Sequence, residues 1–365
     1  MTARPQVKPR TLVWLGLATA LVLWMTVAGM GSRVSIVAVV AAVLPLPFYI
    51  AAALWLDRFE PEPRGMLAMA FLWGASVAII AAGLVNQAMD AAVGENISAM
   101  VTAPIAEELL KAVILVRFFT AKRSEFDGVI DGVIYASMVG LGFAFVENVD
   151  YYGRAFMKEG AGGLAMTFTL RGVMATFSHP LFTSMTGIGL GLARQSHRAA
   201  VRHSAPLLGF VGAVSLHSLW NAGASMGCLF FAIYGLVMLP ACIALLAIAA
   251  VSLRTEGRLL HTWLAADRAA GILTDDDYHA LCSVRGRLDA SMSALLCHGW
   301  AAWRRRRVFH QTASELAFLR HRVADGDEAA NPALEHEYLD TLLAYYGKPP
   351  IASEPIPPAA ATLSS

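Results

Sequence analysis

The chain has 365 residues, of which 57% are hydrophobic and 15% charged, with a net charge of +1 and a mean hydropathy of +0.55. A chain this apolar exceeds what a soluble core needs and has the profile of an all-α polytopic membrane protein whose surroundings are a lipid bilayer. The near-neutral charge argues against a nucleic-acid surface, and Cys228, Cys242, Cys282 and Cys297 form no CxxC pair and no disulfide framework, so any metal site must use His and carboxylate ligands.

Residues 1 to 10, with Arg4, Lys8 and Arg10, precede an apolar run from Thr11 to Gly31, about 20 residues and long enough to span a bilayer. Its length and the lack of a small-residue cleavage site fit an uncleaved first helix rather than a secretory signal. Further spans are expected at roughly 34 to 56, 65 to 88, 97 to 119, 128 to 151, 166 to 193, 204 to 225 and 228 to 253, about eight in all. Together they make residues 11 to 253 a transmembrane bundle. Basic residues gather in alternate polar stretches: Arg58 and Arg64; Arg117, Lys122 and Arg123; Arg194, Arg198 and Arg202. The positive-inside rule then puts both termini of a multi-pass cell-membrane protein in the cytoplasm.

After Leu253 the composition changes, and residues 254 to 348 read as a cytoplasmic helical region. Thr274, with Asp277 three residues on, has the pattern of a helix N-cap. Arg304 to Arg307 reads as the solvated face of a helix. Residues 349 to 365 are rich in Pro, Ala and Ser and are expected to be disordered.

Three ionisable residues, Glu107, Glu108 and Lys111, sit inside the fourth expected span, in Ala103-Pro-Ile-Ala-Glu-Glu-Leu-Leu-Lys-Ala112. At helical spacing Lys111 reaches either carboxylate, and such groups persist in a bilayer only where they face protein or a wet cavity. The fifth span carries Gly128, Gly132, Ala136, Gly140 and Ala144, a line of small residues four apart that admits a closely packed helix. Near its outer end lies Glu147, beside Asn148. The sixth has Ser178-His179-Pro180 near its middle, where proline is expected to bend the helix and re-aim the imidazole; Arg171 lies one helix face away without an assigned role. The seventh places His217 and Asn221 four apart on one face.

At about 1.5 Å per residue, Glu107 and Glu108 lie roughly 15 Å below the outer ends of their span, His179 about 20 Å, His217 about 12 Å and Glu147 about 5 Å. All are compatible levels in a core about 30 Å thick. Two other motifs carry little weight. Gly223-Ala-Ser225-Met-Gly227 matches GxSxG but lies between helices rather than at a strand-to-helix elbow, and Gly187, Gly189 and Gly191 suit helix packing better than a dinucleotide site.

Taken together, Asp57-Arg-Phe-Glu60-Pro-Glu62-Pro, the Glu107-Glu108-Leu-Leu-Lys111 segment, Asp131-Gly132, Gly142-Phe143-Ala-Phe-Val-Glu147-Asn148, His179 and His217-Ser-Leu-Trp-Asn221 make roughly residues 45 to 225 resemble the PrsW family of intramembrane proteases, distant relatives of the type II CAAX prenyl endopeptidases. The resemblance implies a membrane-embedded peptidase whose paired glutamates, third glutamate and two histidines form the active centre. It implies a membrane-anchored protein substrate cut on the extracytoplasmic side; the family takes its name from a member that acts on an anti-sigma factor.

Amide hydrolysis needs an activated water, a stabilised oxyanion and a proton for the leaving nitrogen. One arrangement has His179, His217 and a carboxylate such as Glu147 bind Zn²⁺ while a remaining glutamate acts as base. The other has no metal: a glutamate with His179 activates water, Lys111 holds a carboxylate charged, and His217 with Asn221 stabilises the oxyanion. In either, alanine at Glu107 or Glu108 is expected to keep the fold and abolish cleavage. A proton-coupled transporter also buries acids and histidines at mid-membrane, and an inactive scaffold is a third reading of the same residues.

Overall fold

The computed structural model describes residues 7–123, 125–326 and 330–350. Arg4 and residues 351–365 of the expected disordered tail lie outside the described residues. The described chain is helical throughout, without a strand, and divides into two units that meet between Ser252 and Leu253.

The first unit opens with α1 (Pro9–Val27), α2 (Ser32–Val43) and α3 (Leu46–Leu56). Next, α4 (Arg64–Trp73) runs through a π-helical turn into α5 (Ile79–Val93). The short α6 (Glu95–Ile97) and a second π-turn, Ser98–Thr102, lead into α7 (Ala103–Ala121). Then come α8 (Val129–Phe168), a π-turn over Thr169–Met174, α9 (Ser178–Gln195) and α10 (Ala199–Ala224). After α10 the chain forms α11 (Leu229–Ile233), a further π-turn and α12 (Leu239–Trp263). Nearly every residue of α8 from Val129 to Val149 is buried, as expected of a helix apolar on all sides at the centre of a bundle. Helices α2, α4 and α9 pack around it, while outward residues such as Trp14, Phe48, Leu84 and Leu208 are large, apolar and exposed, as a lipid-facing surface requires.

Six helical stretches are long and apolar enough to cross a membrane by length and composition, against about eight expected. The difference arises in two places. Residues 129–195 form one 67-residue apolar stretch that holds two of the expected spans, and α7 carries Glu107, Glu108, Lys111 and Arg117. Residues 152–165, expected as a polar connection, continue α8, with a kink at Gly160 where φ is 64°. Here the Asp150–Arg154 pair, 2.7 Å apart at i,i+4, supports helix through the charged segment.

The small-residue line on α8 meets α9. A Cβ on Gly132 would overlap the Gly187 carbonyl oxygen, and one on Gly187 would overlap the Gly132 carbonyl; Gly191 lies in the same way on Gly128. At Gly140 an added Cβ would lie 2.7 Å from the carbonyl of His179. The GxGxG of α9 is therefore a packing surface, with Gly189 against Ala205 of α10.

One expectation is corrected. Pro180 does not bend a span from its middle, because the chain breaks at Ala175–Phe177 and α9 begins at Ser178. Proline in a first turn forfeits no helical hydrogen bond, since those N–H groups have no partner one turn back. His179 is thus aimed by a helix start, not by a kink.

At the opposite end of the bundle, the segment with Asp57, Glu60 and Glu62 gains a structural account. Both Asp57 carboxylate oxygens accept from the Glu62 backbone N–H, at 3.0 and 2.8 Å, closing the loop between α3 and α4. Glu62 in turn accepts from the Tyr135 hydroxyl. Burial, with Asp131 and Asp57 nearby, pushes the Glu62 carboxyl well above the ordinary carboxylate range, which favours its neutral form. Glu62→Gln, a neutral acceptor of the same shape, is therefore expected to shift unfolding by under about 1 kcal/mol, whereas Glu62→Ala leaves the buried Tyr135 hydroxyl only the weakly accepting Met66 sulfur at 3.7 Å, at a cost of about 1–3 kcal/mol. Thermal unfolding of the two variants in detergent distinguishes them.

The second unit contains α13 (Ala265–Ala269), α14 (Asp275–Leu281), α15 (Val284–Ala324, kinked at Gly299) and α16 (Leu334–Tyr345) around Phe309, Leu316, Leu339 and Leu342. Thr274 caps α14, its hydroxyl accepting from the Asp277 N–H at 3.2 Å. Within the basic run, Arg304, Arg305 and Arg307 are exposed, while Arg306 turns inward to an ion pair with Asp277. Burial raises the Cys282 thiol to about 11, which leaves it a poor nucleophile at neutral pH.

Candidate active site

Helix α7 brings its three ionisable residues to the bundle interior, and α8, α9 and α10 supply the rest. Glu108 and Lys111 are 0% exposed, one turn apart, with Lys111 Nζ 2.8 Å from Glu108 Oε1. Buried charges of this kind persist only when hydrogen-bonded on every side, and these are. Glu108 Oε1 also faces His217 Nδ1 at 3.0 Å, and Glu108 Oε2 accepts from Thr183 Oγ1 at 3.0 Å. Lys111 continues to His179 Nδ1 at 3.1 Å and lies 3.9 Å above the Phe143 ring. Glu108 is thus a three-way tie between α7, α9 and α10, with both oxygens occupied.

Glu107 is different. Its Oε1 accepts from Asn86 Nδ2 at 3.2 Å, but Oε2 is buried without a hydrogen-bond partner among the described residues. That oxygen lies 3.7 Å from His217 Nε2 and 3.7 Å from Lys111 Nζ. The His179 and His217 rings stand nearly perpendicular, 5.1 Å between centroids, and Phe182 stacks on His217 at 5.0 Å. One donor atom from each of Glu107, His179 and His217 lies within 4.8 Å of the others, a group able to hold a metal ion. The expected set of His179, His217 and Glu147 shares its imidazoles with this group, but the carboxylate that completes it is Glu107.

Glu147 instead orients His179: its Oε2 lies 2.8 Å from His179 Nε2. The same oxygen is paired with Arg171, whose Nε donates to Asn148 Oδ1 at 2.8 Å and whose guanidinium lies 3.8 Å above the Tyr151 ring. Asn221 does not join the cluster by any hydrogen bond among the described residues; its amide donates to the Ala99 carbonyl at 2.8 Å and holds α10 to the π-turn before α7. The GxSxG serine is likewise engaged elsewhere, with Ser225 Oγ donating to the Ala222 carbonyl.

Sequence reasoning missed Asn86 and Thr183 and gave Arg171 no role. Thr183 follows His179 by one turn, so its place on the same face was available from spacing. Arg171 carried the signal of any intramembrane charge. Asn86 carried none, being one neutral polar residue near the end of a span. Two of the four π-turns flank the cluster, at Ser98–Thr102 before Glu107 and at Thr169–Met174 around Arg171, where such local widening commonly serves to place functional groups.

Acids and imidazoles from separate helices, buried in a bundle of membrane-crossing length around one carboxylate oxygen without a hydrogen-bond partner among the described residues, define a polytopic membrane protein with a metal-capable cluster in its interior. A family model described as "PrsW family intramembrane metalloprotease" matches residues 62–247, about half of the chain, and the chain belongs to that family. Among curated proteins it is similar to Protease PrsW of Geobacillus kaustophilus, 32% identical over 146 residues that make up 38% of this chain and 58% of the relative. Protease PrsW of Clostridioides difficile is 37% identical over 100 residues (26% and 42%), and that of Oceanobacillus iheyensis 32% over 115 residues (32% and 48%). The chain thus spans about half the length of the curated relatives it matches. No solved structure matches it.

Proposed function

We propose that this chain hydrolyses a peptide bond of a membrane-anchored protein at the Glu107–His179–His217 cluster, on the extracytoplasmic side of the membrane, with both termini in the cytoplasm. The observation that carries the reading is Glu107 Oε2, buried without a hydrogen-bond partner among the described residues and facing His217 Nε2 across 3.7 Å. A buried carboxylate oxygen without a partner is costly unless something binds it, and water or a metal ion suits that place. Glu107 is the group that contacts the attacking water. Glu108 and Lys111 are positioning residues that fix His217 and His179, and the Arg171–Glu147 pair sets the ring of His179 from its other side. An anti-sigma factor is one substrate this reading admits, on the resemblance alone.

The donor chemistry fits a divalent ion such as zinc. His217 has its Nδ1 side on the Glu108 carboxylate, which fixes the ring's orientation, and its Nε2 toward Glu107, as zinc-bound histidines are commonly held. Glu107, His217 and His179 would hold the metal, which would supply a polarised water and charge stabilisation for the oxyanion. One observation favours the metal-free alternative: lysine ammonium only donates, so His179 Nδ1 accepts from Lys111 and its Nε2–H donates to Glu147, leaving neither nitrogen open.

Metal analysis of the purified chain separates the two. Under the metal reading, the protein carries about one equivalent of zinc, His217→Ala loses it, and chelation abolishes cleavage until zinc is restored. Full activity in chelator with no bound metal leaves the metal-free version. The reaction itself is tested by comparing membrane proteomes of wild type and Glu107→Gln. A membrane protein that accumulates uncut only in the variant is the expected result, and identical proteomes would remove the proposal.

A further inference from the structure

The ends of α7 and α9 and the start of α10 enclose a cavity of about 440 Å³ lined by Phe119, Thr120, Arg123, Ala193, Arg194, Ser196, His197, Arg202 and His203. Three guanidinium groups, two imidazoles and two hydroxyls face this one space, and no carboxylate lines it among the described residues. It lies about 20 Å along α7 and α9 from Glu107 and His179, counting 1.5 Å per residue, so it is separate from the cluster proposed for catalysis. From this geometry we infer a binding site for a phosphate-bearing anion.

Scattered basic residues are ordinary at the cytoplasmic ends of spans, but these are arranged. Arg194 is fixed, its Nε donating to the Phe126 carbonyl at 3.0 Å, another nitrogen donating to the Phe119 carbonyl, and its guanidinium 4.2 Å above the Phe119 ring. His203 is fixed too, its Nδ1 donating to the Ala199 carbonyl at 2.7 Å, which sets the orientation of its Nε2. Arg123 and Arg202 are exposed, and neither forms an ion pair with another described residue. A held guanidinium flanked by two exposed ones matches the forked, charge-assisted recognition of phosphate oxygens. The level of the cavity, at span ends rather than mid-bundle, suits a phospholipid headgroup of an anionic leaflet and equally a soluble phosphate.

The test uses the full chain in nanodiscs with two probes, inorganic phosphate titrated into phosphatidylcholine discs, and phosphatidylglycerol doped into such discs with retention read by native mass spectrometry. Wild type is expected to bind at least one probe. Arg123→Ala with Arg202→Ala is expected to weaken that binding by about tenfold or more, the loss of charge-assisted hydrogen bonds. Thr120→Glu, which places a carboxylate on the wall, is expected to do the same. Arg117→Ala with Arg198→Ala removes two exposed charges of the same expected face from outside the cavity and is expected to bind as wild type. Response to phosphatidylglycerol alone identifies a lipid headgroup, and response to phosphate identifies a soluble ligand. No binding of either probe, or equal loss in the two arginine pairs, overturns the inference.

Discussion

Glu107→Gln is expected to abolish cleavage while leaving the bundle folded, and Glu108→Ala is expected to cost activity and stability together. The adjacent glutamates look equivalent in the sequence, but their surroundings are not. Glu107 is bonded through Oε1 to Asn86 and leaves Oε2 without a hydrogen-bond partner among the described residues, so glutamine keeps the Asn86 side and removes only the basic oxygen. Loss of a positioned acid–base group costs about 10²–10⁴ in rate, and a metal ligand at the same atom adds to that. Glu108 has both oxygens occupied by Lys111, His217 and Thr183. Truncating it leaves the Lys111 ammonium, 0% exposed, with Glu107 at 3.7 Å as its nearest remaining acid. Breaking a buried pair on one side costs about 3–5 kcal/mol, a large share of a marginal stability. The measurements are thermal unfolding in detergent and cleavage of a reporter in membranes. A Glu108→Ala protein as stable as wild type, or a Glu107→Gln protein with full activity, would contradict this division of roles.

The residues of the cluster were legible because a bilayer makes them conspicuous. Glu107, Glu108, Lys111, His179 and His217 are groups that hydrocarbon does not tolerate without partners, and helical rise placed them at matching depths. The partners themselves were hidden. Which carboxylate would be saturated depends on Thr183 and on the rotamer of Lys111, neither of which periodicity reveals. Asn221 shows the limit of spacing arguments: four residues after His217 it shares a helix face, yet its amide is taken by the Ala99 carbonyl. Residues 152–165, expected as a connection between two spans, are helical on either side of the non-helical Gly160, with the Asp150–Arg154 pair at i,i+4 supporting helix through their charged start. Pro180 misled because its effect depends on whether it stands inside a helix or in its first turn, and the break at Ala175–Phe177 has no sequence mark strong enough to decide.

Gly132→Leu is expected to prevent the bundle from assembling, and Gly132→Ala to weaken it. The backbones of α8 and α9 touch at Gly132 and Gly187, where any Cβ on one overlaps the carbonyl oxygen of the other. Backbone cannot rotate aside as a side chain does, so even one methyl must push α9 outward. Overpacking a tight core costs about 1–3 kcal/mol for small intrusions and more for large ones. Without a hydrophobic force between helices in lipid, close packing of this kind is a principal source of their association. The displacement also reaches the chemistry, because α9 carries His179 and Thr183 toward Lys111, Glu147 and Glu108, and misplacement by about 1 Å costs about 10²-fold in rate. Gly132→Ala should therefore retain a folded fraction with cleavage reduced beyond what lost stability explains, measured as activity per folded molecule. Gly83→Ala is the control, since a Cβ there meets nothing within 4 Å and alanine favours helix by about 1 kcal/mol. A Gly132→Leu protein that unfolds at the wild-type temperature would mean that α8 and α9 do not meet at Gly132 and Gly187, and the placement of His179 beside Lys111 would fall with that contact.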